Sequence, residues 1–93
     1  VVRGKTMYVI IVYDINVDRV AKVCNFLRRY LTRVQNSVFE GEITDKQYAE
    51  IEYGLKHIIK KDEDSIRWYS FRTQDQVKVS NLGVEKADLC NII

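Results

Sequence analysis

Ninety-three residues, 46% of them apolar and 11% aromatic, suffice for one globular domain and are too few for two. A core that small gains from association, so a homodimer is an expectation before any motif is read. The absence of proline and the ample apolar content exclude a disordered or linker-like chain, and a formal charge of +2 is too small to indicate a polyanion partner by itself.

Residues Val1 to Thr6 carry two cations ahead of Met7 and are set aside as an N-terminal extension outside a single domain spanning 7–93. Then comes an apolar run, Met7 to Tyr13, which stops on one carboxylate, Asp14. The run is too short to cross a membrane, and its β-branched and aromatic content predicts a strand buried on both faces. Asp14 therefore stands at a strand's C-terminal end, as a helix cap or as a ligand for something cationic. With no signal sequence or membrane-spanning stretch to read, the expected address is the cytoplasm.

Asn16 is a good N-cap and Asp18 suits the first helical turn, so a helix is predicted from about Val17. Val17, Val20, Cys24, Leu27, Leu31 and Val34 recur at a helical period, with Val23 and Tyr30 beside them, and form a core face on which Cys24 is plain packing. Lys22, Phe26, Arg29 and Arg33 form a second stripe on the same wheel, flanked by Arg19, while Arg28 lies nearer the core boundary. The chain is basic in this half; Glu40, Glu42, Asp45, Glu50 and Glu52 then make its middle acidic.

Arg33 to Gly41 reads as a second, more exposed strand whose imperfect alternation suggests a bulge near Gln35-Asn36. Thr44-x-x-Gln47 is a capping box, with Ile43 and Tyr48 placed as a hydrophobic staple, so a second helix starts at Asp45. Its apolar stripe is Tyr48, Ile51, Leu55, Ile58 and Ile59, and it ends in Lys60-Lys61, favourable at a helix C-terminus. Asp62 to Asp64 turn the chain into a third strand, Ser65 to Arg72, with a fourth at Gln76 to Ser80 and a short closing strand at Leu89 to Ile93. The order is βαββαβ if a bend splits Arg33 to Glu42 or if Gln76 to Ser80 completes the set. Either gives an α+β, ferredoxin-like sandwich with two helices on one face of an antiparallel sheet.

The segments Tyr8 to Ile15, Arg19-Val20, Phe26 to Leu31 and Arg33 to Gly41, in that order and spacing, resemble the CRISPR-associated protein two family, the small partner of the CRISPR integrase. The resemblance covers Met7 to Phe71, and Leu89 to Ile93 is similar to the family's terminal strand. The departures are the six-residue extension and the tail from Thr73 to Lys86. The resemblance implies a homodimer in which the C-terminal strand extends the partner's sheet, a role in spacer acquisition, and contact with DNA or RNA. It implies endonuclease activity on RNA or double-stranded DNA with Mg²⁺ or Mn²⁺ held between the two Asp14 of a dimer. The scaffold alternative joins integrase dimers around a DNA fragment without catalysis. Carried over for the nuclease reading are Tyr13, Asp14 and Ser37 as catalytic and Arg19, Arg33 and Phe39 as nucleic-acid contacts, to which the helical stripe adds Lys22 and Arg29.

One aspartate per chain is thin provision for metal-assisted phosphodiester hydrolysis, and a two-fold axis that doubles it repairs this. The plainer reading of Asp14 is a helix cap, and that of the basic stripe a solvated face. Phe39 and Tyr13 are equally explained as packing. The Trp68-Tyr69-Phe71 strand lacks the glycine-containing signature of an RNA-recognition sheet, and lone His57 has no partner for general-base work. A third class, a ferredoxin-like regulatory domain binding a small ligand, needs no cationic stripe.

Overall fold

The computed structural model describes residues 5–83. Its elements are β1 (Thr6–Asp14), α1 (Val17–Leu27), β2 (Thr32–Gln35), β3 (Val38–Thr44), α2 (Asp45–Ile58) and β4 (Ser65–Phe71), followed by a 3₁₀ turn at Gln74–Gln76. The sheet order is β2-β3-β1-β4, and every neighbouring pair is antiparallel. This is the ferredoxin-like βαββαβ arrangement, with β1 in the interior and β2 and β4 at the edges. The closing strand expected at 89–93 lies outside the described residues. β1 takes in Thr6, one residue before the expected start of the domain, and the Asp45 amide donates to the Lys5 carbonyl at 3.1 Å.

Two expectations are corrected, and of the two alternatives for the strand count the split of Arg33 to Glu42 is the one realised. The long first helix is shorter: the amides of Arg28, Arg29 and Tyr30 turn back onto the carbonyls of Cys24, Phe26 and Leu27, and the chain re-enters as β2. Leu31 and Val34 keep the helical period by coincidence; the chain leaves the helix at Leu31, and Thr32, Arg33 and Gln35 pair with β3 instead. The stretch from Arg33 to Gly41 is divided by a tight Asn36-Ser37 turn, with Ser37 in the left-handed region at φ 66°. A register shift lies between Arg33 and Gln35, beside the predicted bulge. Gln76 to Ser80 is no strand, because Phe71 ends the sheet and the Gln76 side chain accepts from the Arg72 amide at 2.8 Å to close a turn.

Strand alternation assigns the faces. Val9, Ile11 and Tyr13 of β1 meet Phe39 and Ile43 of β3 beneath Val20, Val23, Cys24 and Leu27 of α1 and Ile51 and Leu55 of α2, which is the core. Phe26 leaves the stripe predicted for it and packs between the helices. Its ring stands edge-on to Tyr30, and Gly54 of α2 faces it so closely that a Cβ there would overlap it. Asn16 and the Thr44–Gln47 capping box terminate the helices as the sequence predicts. The opposite sheet face carries Ile10, Val12, Val38, Tyr69 and Phe71 together with Glu40, Glu42 and Arg67, and among the described residues no helix lies over it; Val12 is 38% and Tyr69 45% exposed.

Candidate active site

β1 delivers Asp14 to the sheet end where β4 begins, opposite Ser65. Asp14 is exposed and lies on the helix-free face, in phase with Ile10 and Val12. The first helix does not need it as a cap: Asn16 Oδ1 accepts from the Asp18 amide at 2.9 Å. Among the described residues the Asp14 carboxylate has no hydrogen bond or ion pair.

On the β4 side the chain is fastened by a residue the sequence reading passed over as a turn acid. The Asp64 side chain is fully buried, and its Oδ1 accepts from the Asn16 amide and Arg19 Nη2, both at 2.9 Å. Its Oδ2 accepts from Arg19 Nε at 2.6 Å and from the Lys60 amide at 2.8 Å. Arg19 Nη2 also donates to Glu63 at 2.9 Å. These bonds to Arg19 foremost, and then the backbone amides, hold the Asp64 carboxyl well below the usual carboxylate range against the cost of its desolvation. The Arg19 guanidinium is raised in turn. No local pattern announces Asp64; its importance follows from the antiparallel pairing that lays Ser65 beside Asp14.

On the β3 side the Tyr13 amide donates to the Ser37 carbonyl at 3.0 Å, so the left-handed Ser37 turn is pinned next to Asp14. Register sets Arg33 opposite Phe39 and hence on the helix side, where it is 3% exposed. Its Nε donates to the Gln35 carbonyl at 3.3 Å and its Nη2 to Asn36 Oδ1 at 2.8 Å, which bridges the turn. Arg33 Nη1 and the Tyr13 hydroxyl are buried with no partner among the described residues. Burial pushes the Tyr13 phenol up, and the nearby Arg33 charge and Ser37 backbone oppose this. The Tyr13 ring packs 5.9 Å from that of Phe39, which is fully buried.

Tyr13 and Ser37 are joined through the backbone and Asp14 adjoins them in the chain, with only Asp14 and part of Ser37 at the surface. The continuous cationic stripe is not formed. Lys22 and Arg29 are exposed, Arg19 is committed to acids, and Arg33 and Phe39 lie inside. His57 is on the outer face of α2, its Nδ1 2.9 Å from the Tyr53 carbonyl, with no described carboxylate beside it. Among the described residues no group of three or more His, Cys, Asp or Glu is clustered to hold a metal, and no helix is long and apolar enough to cross a membrane.

The class is that of small ferredoxin-like domains, here with an exposed carboxylate, Asp14, at the end of the interior strand β1. Residues 7–79 match the model of the CRISPR associated protein Cas2 family. Proteins named CRISPR-associated endoribonuclease Cas2 are 49% identical over 94% of this chain and the whole of the relative in Methanosarcina acetivorans. One from Archaeoglobus fulgidus, named CRISPR-associated endoribonuclease Cas2 2, is 50% identical over 86% of this chain and 87% of its own length. A crystal structure of a Cas2 superposes with TM-score 0.81 at 44% identity, covering 89% of this chain and 93% of the other. The Cas2 of Streptococcus pyogenes gives 0.73 at 35% identity over 82% and 99% of the two chains. The chain belongs to the CRISPR-associated Cas2 family.

Proposed function

We propose that this chain is a homodimeric, metal-dependent endonuclease of CRISPR adaptation, acting in the cytoplasm on RNA in the first instance, as the names of its relatives suggest. The observation that carries the proposal is Asp14, exposed at the end of β1 without a described partner while Asn16 does the capping. The sheet face opposite the helices supports the dimer: Ile10, Val12, Val38 and Tyr69 lie there interleaved with Glu40 and Arg67, a mixed surface that a second copy would cover, and Asp14 lies on that face. β4 is an edge strand, which supports the addition of the partner's C-terminal segment to this sheet.

The residues fit a hard divalent cation. Mg²⁺ keeps most of its waters and is bound through one or two carboxylates together with substrate phosphate, and two copies of Asp14 meet that need. When bound, the metal supplies Lewis-acid stabilisation of charge on the phosphate. The chain's own part is positional. Asp14 holds the metal, the Ser37 turn is fixed beside it through the Tyr13 amide, and exposed Lys22 and Arg29 offer charge to the nucleic-acid backbone. Tyr13, Arg33 and Phe39 serve from the core, by holding the strand end and the turn.

The test is cleavage of RNA and duplex DNA with and without Mg²⁺ by wild type and Asp14→Asn from identical purifications. Metal-dependent cleavage lost in the variant supports the proposal; equal cleavage by both removes Asp14 from the mechanism. The provision of a single carboxylate, Asp14, at the end of β1 favours a second reading, a non-catalytic scaffold between integrase dimers. In that case Asp14→Asn leaves DNA-fragment capture and integrase binding intact and neither protein cleaves.

A further inference from the structure

We infer that Arg19 and Asp64 are positioning residues for Asp14 and that Arg19 makes no contact with nucleic acid; the inference rests on Asp14 being the metal-holding carboxylate. Asp64 fastens the chain on both sides of Asp14. Along the chain it accepts from the amide of Asn16, two residues beyond Asp14, and across the sheet it adjoins Ser65, the strand partner of Asp14. Its other donors are Arg19 in the first turn of α1 and the Lys60 amide after α2, so one buried carboxylate gathers three segments at the strand end. Deletion of this anchor frees the turn that sets the direction of Asp14.

Arg19 has little capacity left for a phosphate. Nε and Nη2 form a fork onto Asp64, Nη2 is shared with Glu63, and the side chain is 13% exposed. To release the fork toward a ligand would strand the Asp64 charge in a site without solvent, a strongly unfavourable step. The geometry therefore separates two cations that sequence alone treats alike: Lys22 faces solvent, and Arg19 neutralises a buried acid. Metal ligands must be held to about 0.5 Å, and a misplacement of about 1 Å costs on the order of 100-fold in rate.

The experiment compares full-length wild type, Arg19→Gln, Arg19→Lys, Asp64→Asn and the Arg19→Gln/Asp64→Asn double variant. Binding of a single-stranded RNA is followed by fluorescence anisotropy over a salt series, and cleavage is measured over a Mg²⁺ series. The expected result is a kcat lowered about 10- to 100-fold with a raised half-saturating Mg²⁺ concentration, an unchanged KM and an unchanged salt slope. The double variant is no worse than either single one, and Arg19→Lys recovers part of the loss. A salt slope reduced by about 0.7 in Arg19→Gln, or a raised KM at constant kcat, marks a phosphate contact and overturns the inference. Amide hydrogen exchange decides the matter independently of activity. Asp64→Asn is expected to speed exchange at Asp14, Asn16 and Ser65 while β3 stays protected, and unchanged exchange at Asp14 and Ser65 overturns the positioning role. If wild type shows no Mg²⁺-dependent cleavage the nuclease proposal fails, and the salt slope and the exchange still decide whether Arg19 and Asp64 hold the strand end.

Discussion

Gly54 offers a test in which two physical effects of known sign oppose each other. Replacement of a mid-helix glycine by alanine ordinarily stabilises a helix by about 1 kcal/mol, because glycine spends more backbone entropy on ordering. In α2, however, a Cβ at Gly54 would overlap the Phe26 ring, whose Cε1 would lie 2.7 Å and Cε2 2.9 Å away. Any retreat of the ring disturbs its edge-on contact with Tyr30, which has 5.6 Å between centroids. Overpacking of this kind costs about 1–3 kcal/mol, so Gly54→Ala is expected to be net destabilising by up to about 2 kcal/mol. On a Phe26→Ala background the overlap is gone and the same change should stabilise by about 1 kcal/mol. Urea unfolding of the four proteins in this cycle reads the coupling directly. A Gly54→Ala variant more stable than wild type, or a substitution effect independent of Phe26, refutes the interlocked contact between the helices.

Three further predictions follow from the site and its surroundings. Arg33→Gln loses the bridge over the Asn36-Ser37 turn and should destabilise by about 1–3 kcal/mol, lowering Tm by about 4–8 °C per kcal/mol, while the salt slope of RNA binding stays constant; a slope reduced by about 0.7 would place Arg33 on phosphate. Because the folded Asp64 carboxyl lies below its unfolded value, its contribution to stability is full above about pH 5 and is lost as pH falls below about 4 toward the folded value. Asp64→Asn should therefore lower the urea midpoint at neutral pH and flatten its decline in acid, and parallel curves for the two proteins contradict the assignment. Val12→Lys places a charge on the helix-free sheet face and should shift the mass measured by light scattering from dimer to monomer with the far-ultraviolet circular dichroism unchanged; a variant dimer as tight as wild type excludes that face.

The helix starts were legible because caps are local. Asn16 with Asp18, and Thr44 with Gln47, carry their donors and acceptors within three residues, and both are realised. The end of α1 was not legible from periodicity. Leu31 continues the helical stripe in sequence and its amide still bonds to the Leu27 carbonyl, yet the next residue is already paired with Glu40 of β3. A 3.6-residue period and a strand emerging from a helix at the right angle place the same apolar residue toward the same core. Only the long-range pairing separates them, and it moves Arg33 from an outer helical face to a buried strand position.

The same distinction governs the site. Asp14 could be picked out because an isolated acid after a fully apolar strand is a local anomaly, and the structure leaves its carboxylate uncommitted among the described residues. Cations carry no such mark: Lys22 and Arg19 differ by three positions on one helix, but Arg19 meets Glu63 and Asp64 from 44 and 45 residues away. What surrounds Asp14 is consequently less a phosphate track than a frame, with Asp64 bracing the β4 side and the Ser37 turn bracing the β3 side. A frame this well hydrogen-bonded ends in one carboxylate at the close of β1, and under the metal-holding proposal that carboxylate is half of a ligand set. The two-fold proposed for the sheet face opposite the helices would complete it, since the same operation that covers Val12 and Tyr69 doubles Asp14.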